Sequence, residues 1–134
     1  MLISGVPVHC INQAAIQYNV PAVVIVAVLK TENGKNGEAK KNPNGTIDYG
    51  PMQVNSVWLK KLAYYGITAY DLQYNPCVNV SVGTWILAQQ IVKEQAVWKG
   101  IGDYHSHTFG KNQKYQGKVS VTYDFIEQAL AKGQ

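Results

Sequence analysis

The chain has 134 residues, enough for one domain that buries a core without a metal or a dense disulfide framework. Hydrophobic residues make up 46% and charged residues 15%, a balance that excludes an intrinsically disordered chain. The net charge of +4 fits either a solvated basic surface or attraction to an anionic polymer, and because all 12 basic residues are lysines, no nucleic-acid partner is expected.

Helical patterns dominate, and the predicted fold class is a mostly α single domain. Residues 1–6 are expected to be a leader remnant or a flexible N-terminus, followed by the domain itself over residues 7–134. The first helix is predicted from Pro7 to about Tyr18, because apolar side chains recur on one helical face.

A second helix is predicted over Ala22–Leu29, with Asn19 as its cap. This segment is apolar all round, which is typical of a buried central helix, although its β-branched residues would also suit a strand. The surrounding apolar run Val20–Leu29 is too short to span a bilayer, so no stable membrane insertion is expected. Glycine and asparagine over residues 33–46 indicate a loop or a short hairpin after this helix.

Three further helices are predicted downstream from caps and helical periodicity. They run from Asn55 or Ser56 to Tyr65, from Cys77 to about Val97, and from Gln113 to Leu130. A glycine-rich break at Lys99–Gly102 and a turn over residues 104–110 are expected between the last two.

Cysteine and histidine spacing does not indicate a metal site. Cys10 and Cys77 form no C-x-x-C pair, and they can be one disulfide or two buried thiols. The candidate ligands are His9, Cys10, Cys77, His105 and His107, and the spacing of His105 and His107 is not that of a zinc motif. No metal and no other cofactor are therefore expected.

Glu32 is the residue that indicates chemistry most clearly. It ends the apolar helix and precedes Asn33-Gly34, a pair suited to a left-handed helix end. The carboxyl then lies at the negative end of the helix dipole and on a buried element, and both effects raise its pKa. An acid that is neutral near pH 7 can protonate a glycosidic oxygen, whereas the alternative is a solvated glutamate at a helix end.

A second motif, Asp48–Asn55, reads Asp-Tyr-Gly-Pro-Met-Gln-Val-Asn. In this stretch Gly50 allows the backbone to approach a ligand closely, and Met52 can pack beneath a sugar ring. Gln53 can donate and accept hydrogen bonds at once. Taken alone, the motif could also be a turn that leads into a helix cap.

Leu29–Gly34 followed by Asp48–Asn55 resembles the signature of the soluble lytic transglycosylases, a catalytic Glu-Ser-Gly followed by Gly-Leu-Met-Gln-Ile-Asn. Asn75–Asn79 is similar to the Pro-Cys-x-Asn helix of small family members linked to conjugation, secretion and pilus machines. The resemblance covers residues 7–126 and implies a lysozyme-like domain. It also implies a disulfide between Cys10 and Cys77.

The resemblance assigns Glu32 as the single catalytic acid/base. The substrate-binding positions that it implies are Gly50, Met52, Gln53, Asn55, Tyr104, His105 and Tyr115. Asp103-Tyr104-His105 corresponds to the family's Ala-Tyr-Asn motif, which lines the sugar cleft, and it departs from that motif at two of its three positions. Tyr115 is similar to a family tyrosine that bonds the catalytic glutamate, with Tyr123 as the alternative register.

The implied reaction is cleavage of the β-1,4 bond between N-acetylmuramic acid and N-acetylglucosamine in peptidoglycan, with formation of a 1,6-anhydro ring. Asp48-Tyr49-Gly50 also resembles a stretch of chicken-type lysozyme in which the aspartate is the second carboxylate. A lysozyme-type hydrolase that uses Asp48 is therefore an alternative, and a non-catalytic peptidoglycan-binding module is another.

The resemblance also implies a partner and a location. The expected partner is the peptidoglycan glycan strand, with components of an envelope secretion, conjugation or pilus machine as further candidates. We expect a monomer that acts in the periplasm or as a secreted protein, with its leader absent from this chain.

Overall fold

The structure, a computed structural model, describes residues 1–132 and confirms the mostly α prediction. Its helices are α1 (Val8–Tyr18), α2 (Ala22–Glu32), α3 (Leu59–Leu62), α4 (Ala69–Tyr74), α5 (Pro76–Glu94), α6 (Val97–His105) and α7 (Phe109–Lys132). Its strands are β1 (Leu2–Ile3), β2 (Val6–Pro7), β3 (Ala39–Lys41), β4 (Ile47–Tyr49) and β5 (Val54–Asn55).

Helix α2 is the buried helix that its composition predicts. Val24, Ile25 and Ala27 to Leu29 are all at most 5% exposed. The helix ends at Asn33, whose backbone is left-handed with φ 54° and whose N–H donates to the Leu29 carbonyl at 3.0 Å. The strand alternative for this segment is therefore wrong, and Glu32 occupies the last helical position.

Asn19 was predicted to cap α2 because it lies just before Pro21, but it does not do so. Its backbone is left-handed, with φ 55°, and it ends α1 through an N–H bond to the Ala15 carbonyl. Pro21 precedes the first turn of α2 in its place. Asparagine adopts the left-handed conformation at low cost, so the same residue type suits either end of a helix.

Residues 1–6, predicted to be a leader remnant or a flexible N-terminus, contribute to two short strands. Strands β1 and β2 pair in an antiparallel hairpin with Ile3 opposite Val6. The side chain of Val6 is fully buried, and β2 packs against α5. The start of the chain is therefore part of the packed domain.

The hairpin predicted after α2 is present and continues into a three-stranded antiparallel sheet of order β3-β4-β5. Its register sets Lys40 opposite Asp48, and Asp48 opposite Asn55. Side chains directly opposite one another in a sheet lie close together. The sheet thus collects polar residues from three strands on one side of Glu32.

Helix α6 runs through the segment that was predicted as a glycine-rich break. A Cβ atom on Gly100 would overlap the backbone of Ile91 in α5, so glycine is needed here because two helices approach closely. The glycines at Lys99–Gly102 therefore mark helix packing, and the prediction of a break was wrong. The turn between α6 and α7 is short and begins at Ser106.

The helix predicted to end at Tyr65 is composite, with 3-10 turns at Ser56–Trp58 and Ala63–Tyr65 on either side of α3. Gly66, at φ 73°, ends it as predicted. Helix α4 was not predicted, although Thr68 and Asp71 cap it reciprocally.

A disulfide joins Cys10 of α1 to Cys77 in the first turn of α5, as the resemblance implied. The bond ties the two helices together across a sequence separation of 67 residues. Helix α5 also packs against α4 and α6, and it forms the centre of the domain. Among residues 1–132, no helix has the length and apolar character that crossing a bilayer requires.

Candidate active site

Glu32 lies where α2 packs against α7. The hydroxyl group of Tyr115, on α7, donates a hydrogen bond to Glu32 Oε2 at 2.6 Å. Tyr115 itself is 4% exposed, so the phenol is fixed by packing. The predicted contact between these two residues is thus present, and it is Tyr115 rather than Tyr123 that makes it.

The pKa of Glu32 is raised from 4.5 to about 7. Burial is the main cause, because it disfavours the charged carboxylate, and the nearby charge of Asp48 acts in the same direction. The Tyr115 hydrogen bond and the charges of Lys40 and Lys118 oppose this rise. The balance leaves a carboxyl group that exchanges its proton near neutral pH.

Two aromatic side chains of α6, those of Tyr104 and His105, line the same cleft as Glu32. The imidazole of His105 stacks on the Tyr115 ring, with centroids 4.7 Å apart and planes 3° from parallel. The hydroxyl group of Tyr104 donates to the Met52 backbone carbonyl at 2.8 Å. Burial, together with the charges of Glu32 and Asp48, raises the pKa of Tyr104 well above 10. Tyr104 therefore stays protonated at neutral pH.

The pKa of the His105 imidazole is lowered by its partial burial and by the charge of Lys118. A neutral imidazole stacked on Tyr115 can accept or donate a hydrogen bond to a ligand in the cleft.

Asp48, the possible second carboxylate, lies on β4 and is held by Asn55 of β5. Asn55 Nδ2 donates to Asp48 Oδ1 at 2.9 Å and to Thr46 Oγ1 at 3.0 Å, while Asn55 Oδ1 accepts from the Val57 N–H. Asn55 therefore has its hydrogen-bonding capacity engaged within the sheet. Its main effect is to orient Asp48 toward the cleft that both residues line.

Three of the residues predicted to contact substrate do not line the cleft: Tyr115, which holds Glu32 from within the core, and Met52 and Gly50, which lie beneath the cleft surface. Met52 is fully buried, and its side chain packs against Gly83 of α5. Gly50 is buried with φ 65°, and a Cβ atom there would overlap the side chain of Asn79. The close approach that Gly50 permits is thus to α5 and not to a ligand, and the expected packing of Met52 under a sugar ring is replaced by core packing.

Gln53 lines the cleft and connects two of its loops. Its Nε2 donates to Glu38 Oε1 at 2.8 Å and to the Gly50 carbonyl at 2.9 Å. The backbone of Gln53 is left-handed, with φ 54°.

Asn79 of α5 holds the loop of residues 49–52 against the core through hydrogen bonds, a role that the sequence did not indicate. It is fully buried on α5 and accepts the Met52 N–H at 2.8 Å through Oδ1. Its Nδ2 donates to the carbonyls of Tyr49 at 2.8 Å and Leu72 at 2.9 Å. One side chain thereby satisfies three buried backbone groups.

Replacing Asn79 by alanine is expected to lower the free energy of unfolding by about 2 kcal/mol, because buried backbone groups would lose their partners. The urea unfolding midpoint measures this loss. Asn12→Ala, at an exposed position of α1, is the control and should change the stability by less than about 0.5 kcal/mol. Equal midpoints for the two variants would contradict the assigned role of Asn79.

The residues around Glu32 enclose an open cleft of about 710 Å³, a volume within the range of ligand sites. Glu32, Asp48, Gln53, Asn55, Tyr104 and His105 are the predicted residues that line it. Lys40, Trp58 and Lys111 line it as well and were not singled out from the sequence, because lone lysines and aromatic residues carry no local signal. The cleft thus combines neutral polar groups, an aromatic ring and positive charge, which suits an anionic glycan.

Two groups of potential metal ligands are present within residues 1–132. His9 lies beside Cys10 and Cys77, but both sulfur atoms are bonded to each other in the disulfide. The second group consists of Glu94, Asp103 and His107.

The sequence profile of the family described as Transglycosylase SLT domain matches residues 9–124. This span contains Glu32, Asp48, Gln53, Tyr104 and Tyr115. It covers nearly the whole of the described chain.

Three individual proteins match most of the length of this chain. Invasion protein IagB of Salmonella typhi is 29% identical over 128 residues, which are 92% of this chain and 80% of the relative. Protein IpgF of Shigella flexneri is 31% identical over 112 residues, covering 83% and 74%. A peptidoglycan-binding-like protein of Escherichia coli O157:H7 is 31% identical over 141 aligned positions, covering 92% and 84%.

Proposed function

Because this chain belongs to the Transglycosylase SLT domain family, we propose that it is a peptidoglycan lytic transglycosylase with Glu32 as its acid/base. The family assignment makes it a lysozyme-like domain of a peptidoglycan-acting type. The observation that carries the proposal is the Glu32 carboxyl group, whose pKa is raised to about 7 beside a polar cleft.

In the first step, neutral Glu32 donates its proton to the glycosidic oxygen between N-acetylmuramic acid and N-acetylglucosamine. The bond from C1 of the muramic acid to that oxygen breaks, and N-acetylglucosamine leaves with a free 4-hydroxyl group. The N-acetyl group of the muramic acid stabilises the positive charge that develops at C1. Tyr115 holds Oε2, so the proton is delivered from Oε1.

In the second step, the Glu32 carboxylate removes the proton of the 6-hydroxyl group of the muramic acid. The 6-oxygen then bonds to C1 and closes the 1,6-anhydro ring, and no water is consumed. A single carboxyl group serves both steps because it loses a proton in the first and regains one in the second. A pKa near the working pH favours both transfers.

A lysozyme-type hydrolase is the second candidate function. It is favoured by Asp48, which lines the same cleft and whose charge raises the pKa of Glu32. In that mechanism Asp48 would stabilise the charge at C1 while water attacks. A non-catalytic binding module is the weaker alternative, because it gives no reason for holding Glu32 in its buried contact with Tyr115.

Mass spectrometry of digested peptidoglycan distinguishes these functions. We expect the released fragments to end in 1,6-anhydro-N-acetylmuramic acid. Fragments with reducing N-acetylmuramic acid ends would instead support hydrolysis through Asp48. An absence of released fragments would contradict both enzymatic functions.

Tyr115→Phe should move the alkaline limb of the pH–activity profile to higher pH. The lost hydrogen bond stabilises the Glu32 carboxylate, so its removal raises the pKa of Glu32 further. The rate at the optimum should fall about fivefold, because one positioned hydrogen bond contributes about 1 kcal/mol.

Tyr123→Phe is the matched control for this variant, because Tyr123 lies on the same helix and its ring packs on Trp98. It should keep the wild-type profile. A profile of Tyr115→Phe that superimposes on the wild type would contradict the coupling between Tyr115 and Glu32.

We propose further that this activity opens local gaps in the wall for an envelope secretion, conjugation or pilus apparatus. Support comes from the Pro-Cys-Val-Asn segment at residues 76–79 and from the similarity to a protein named an invasion protein. Such a role places the chain in the periplasm or outside the cell, an environment in which the Cys10–Cys77 disulfide persists.

A further inference from the structure

Three ionisable side chains from different elements converge beside the cleft. They are Glu94 at the end of α5, Asp103 of α6 and His107 in the turn that follows α6. One potential ligand atom of each lies within 4.8 Å of the others. Asp103 and His107 also line the cleft, so the cluster opens to solvent.

Asp103 is the buried member of the cluster, and one of its two carboxylate oxygens accepts a hydrogen bond. Its side chain is 3% exposed. Asn112 Nδ2 donates to Asp103 Oδ1 at 2.5 Å, and His107 Nδ1 lies 3.4 Å from the same oxygen. Within residues 1–132, no donor group hydrogen-bonds to Asp103 Oδ2, but the Asp103 and Glu94 carboxyl groups lie within hydrogen-bonding distance of each other. Two carboxylates this close need a proton or a cation between them.

Lys99 supplies one positive charge to this cluster, but only at its outer edge. Its Nζ lies 3.0 Å from Glu94 Oε2, and its side chain is 63% exposed. Exposed ion pairs of this kind contribute little stability, so the lysine can swing into solvent.

We propose that Glu94, Asp103 and His107 bind a divalent transition-metal ion, which displaces Lys99 from Glu94. Two carboxylates neutralise the charge of the ion, and the imidazole favours zinc-like metals over calcium or magnesium. Ligand atoms around tetrahedral zinc stand about 3.4 Å apart. His107 Nδ1 already lies 3.4 Å from Asp103 Oδ1, but the three potential ligand atoms span up to 4.8 Å, so the side chains of His107 and Glu94 must move closer to bind the ion.

The bound ion would join the end of α5 to the turn between α6 and α7. Tyr104 and His105 lie between Asp103 and His107 in sequence and both line the cleft. Metal binding at this position therefore stabilises the wall of the cleft that carries them. This inference does not depend on the proposed reaction, since it concerns metal affinity alone.

Titration of the untagged, chelator-treated chain with Zn²⁺ in a calorimeter at pH 7 tests the proposal. We expect one saturable site per chain. Asp103→Asn and His107→Asn should each weaken binding at least tenfold, and Lys99→Met should tighten it by removing the competing cation. Asp103→Asn is nearly isosteric, and its amide oxygen can still accept from Asn112, so the fold is preserved.

His9→Asn is the matched control, because His9 is an exposed histidine far from the cluster in sequence. It should leave the affinity for Zn²⁺ unchanged. An absence of saturable binding by the wild type, or equal affinities for wild type and His107→Asn, would overturn the metal site. An unchanged affinity in Lys99→Met would overturn the displacement of Lys99.

Discussion

Replacing Glu32 by glutamine is expected to lower the rate of peptidoglycan cleavage about a thousandfold or more. The amide cannot donate an acidic proton to the leaving oxygen and cannot remove one from the 6-hydroxyl group. It is nearly isosteric with the acid, and its oxygen can still accept the Tyr115 hydrogen bond. Loss of turbidity of purified cell walls, followed by quantification of the soluble fragments, measures the effect.

Glu127→Gln is the matched control for this experiment. Glu127 is exposed on α7, and the substitution makes the same change of charge and shape away from the cleft. The control should clear walls at the wild-type rate. If Glu32→Gln cleared walls as fast as Glu127→Gln, Glu32 would not be the acid/base.

Glu32→Gln should also make the protein more stable than the wild type at alkaline pH. The pKa of Glu32 is about 7 in the folded chain and about 4.5 when the group is solvated. As pH rises from 4.5 to 7, the unfolded chain loses this proton while the folded chain retains it, so the wild type loses stability over that window. At 1.36 kcal/mol per pKa unit, the loss comes to about 3 kcal/mol.

Glutamine removes this titration, so the stability difference between Glu32→Gln and wild type should grow by about 3 kcal/mol between pH 4 and pH 8. Urea unfolding at the two pH values measures the difference. A difference that stays constant with pH would mean that the Glu32 carboxyl group is solvated and that its pKa is not raised.

Some features of this protein could be predicted because their cause is local or is carried by a motif. The apolar segment Ala22–Leu29 predicted a buried helix, and Asn33-Gly34 predicted its left-handed end. The contact of Tyr115 with Glu32 joins residues 83 positions apart, and it was predictable only through the resemblance to a known family.

The positions of Gly50 and Met52 could not be predicted, because they depend on a distant partner. In the sequence, both residues fall in a turn beside polar groups, which suggested contact with a ligand. In the structure, Asn79 of α5, 27 residues beyond Met52, accepts a hydrogen bond from the Met52 N–H and holds this turn against the core. No local pattern distinguishes a buried asparagine that bonds three backbone groups from one that caps a turn.

Helix α6 illustrates a second limit. Glycine has a low helix propensity, so Lys99–Gly102 predicted a break. Close packing of Gly100 on the Ile91 backbone offsets that propensity, and the contact forms only when the chain is folded. The Glu94, Asp103 and His107 cluster depends on this helix as well, so the local spacing of the histidines could not indicate it.

The ionisation of Glu32 is the property on which the proposed mechanism depends most directly. The chemical shift of its side-chain carboxyl carbon, followed by NMR in ¹³C-labelled protein from pH 3 to pH 9, reports it without reference to substrate. The mechanism predicts a titration midpoint near 7. A midpoint near 4.5, the value for a solvated glutamate, would contradict it.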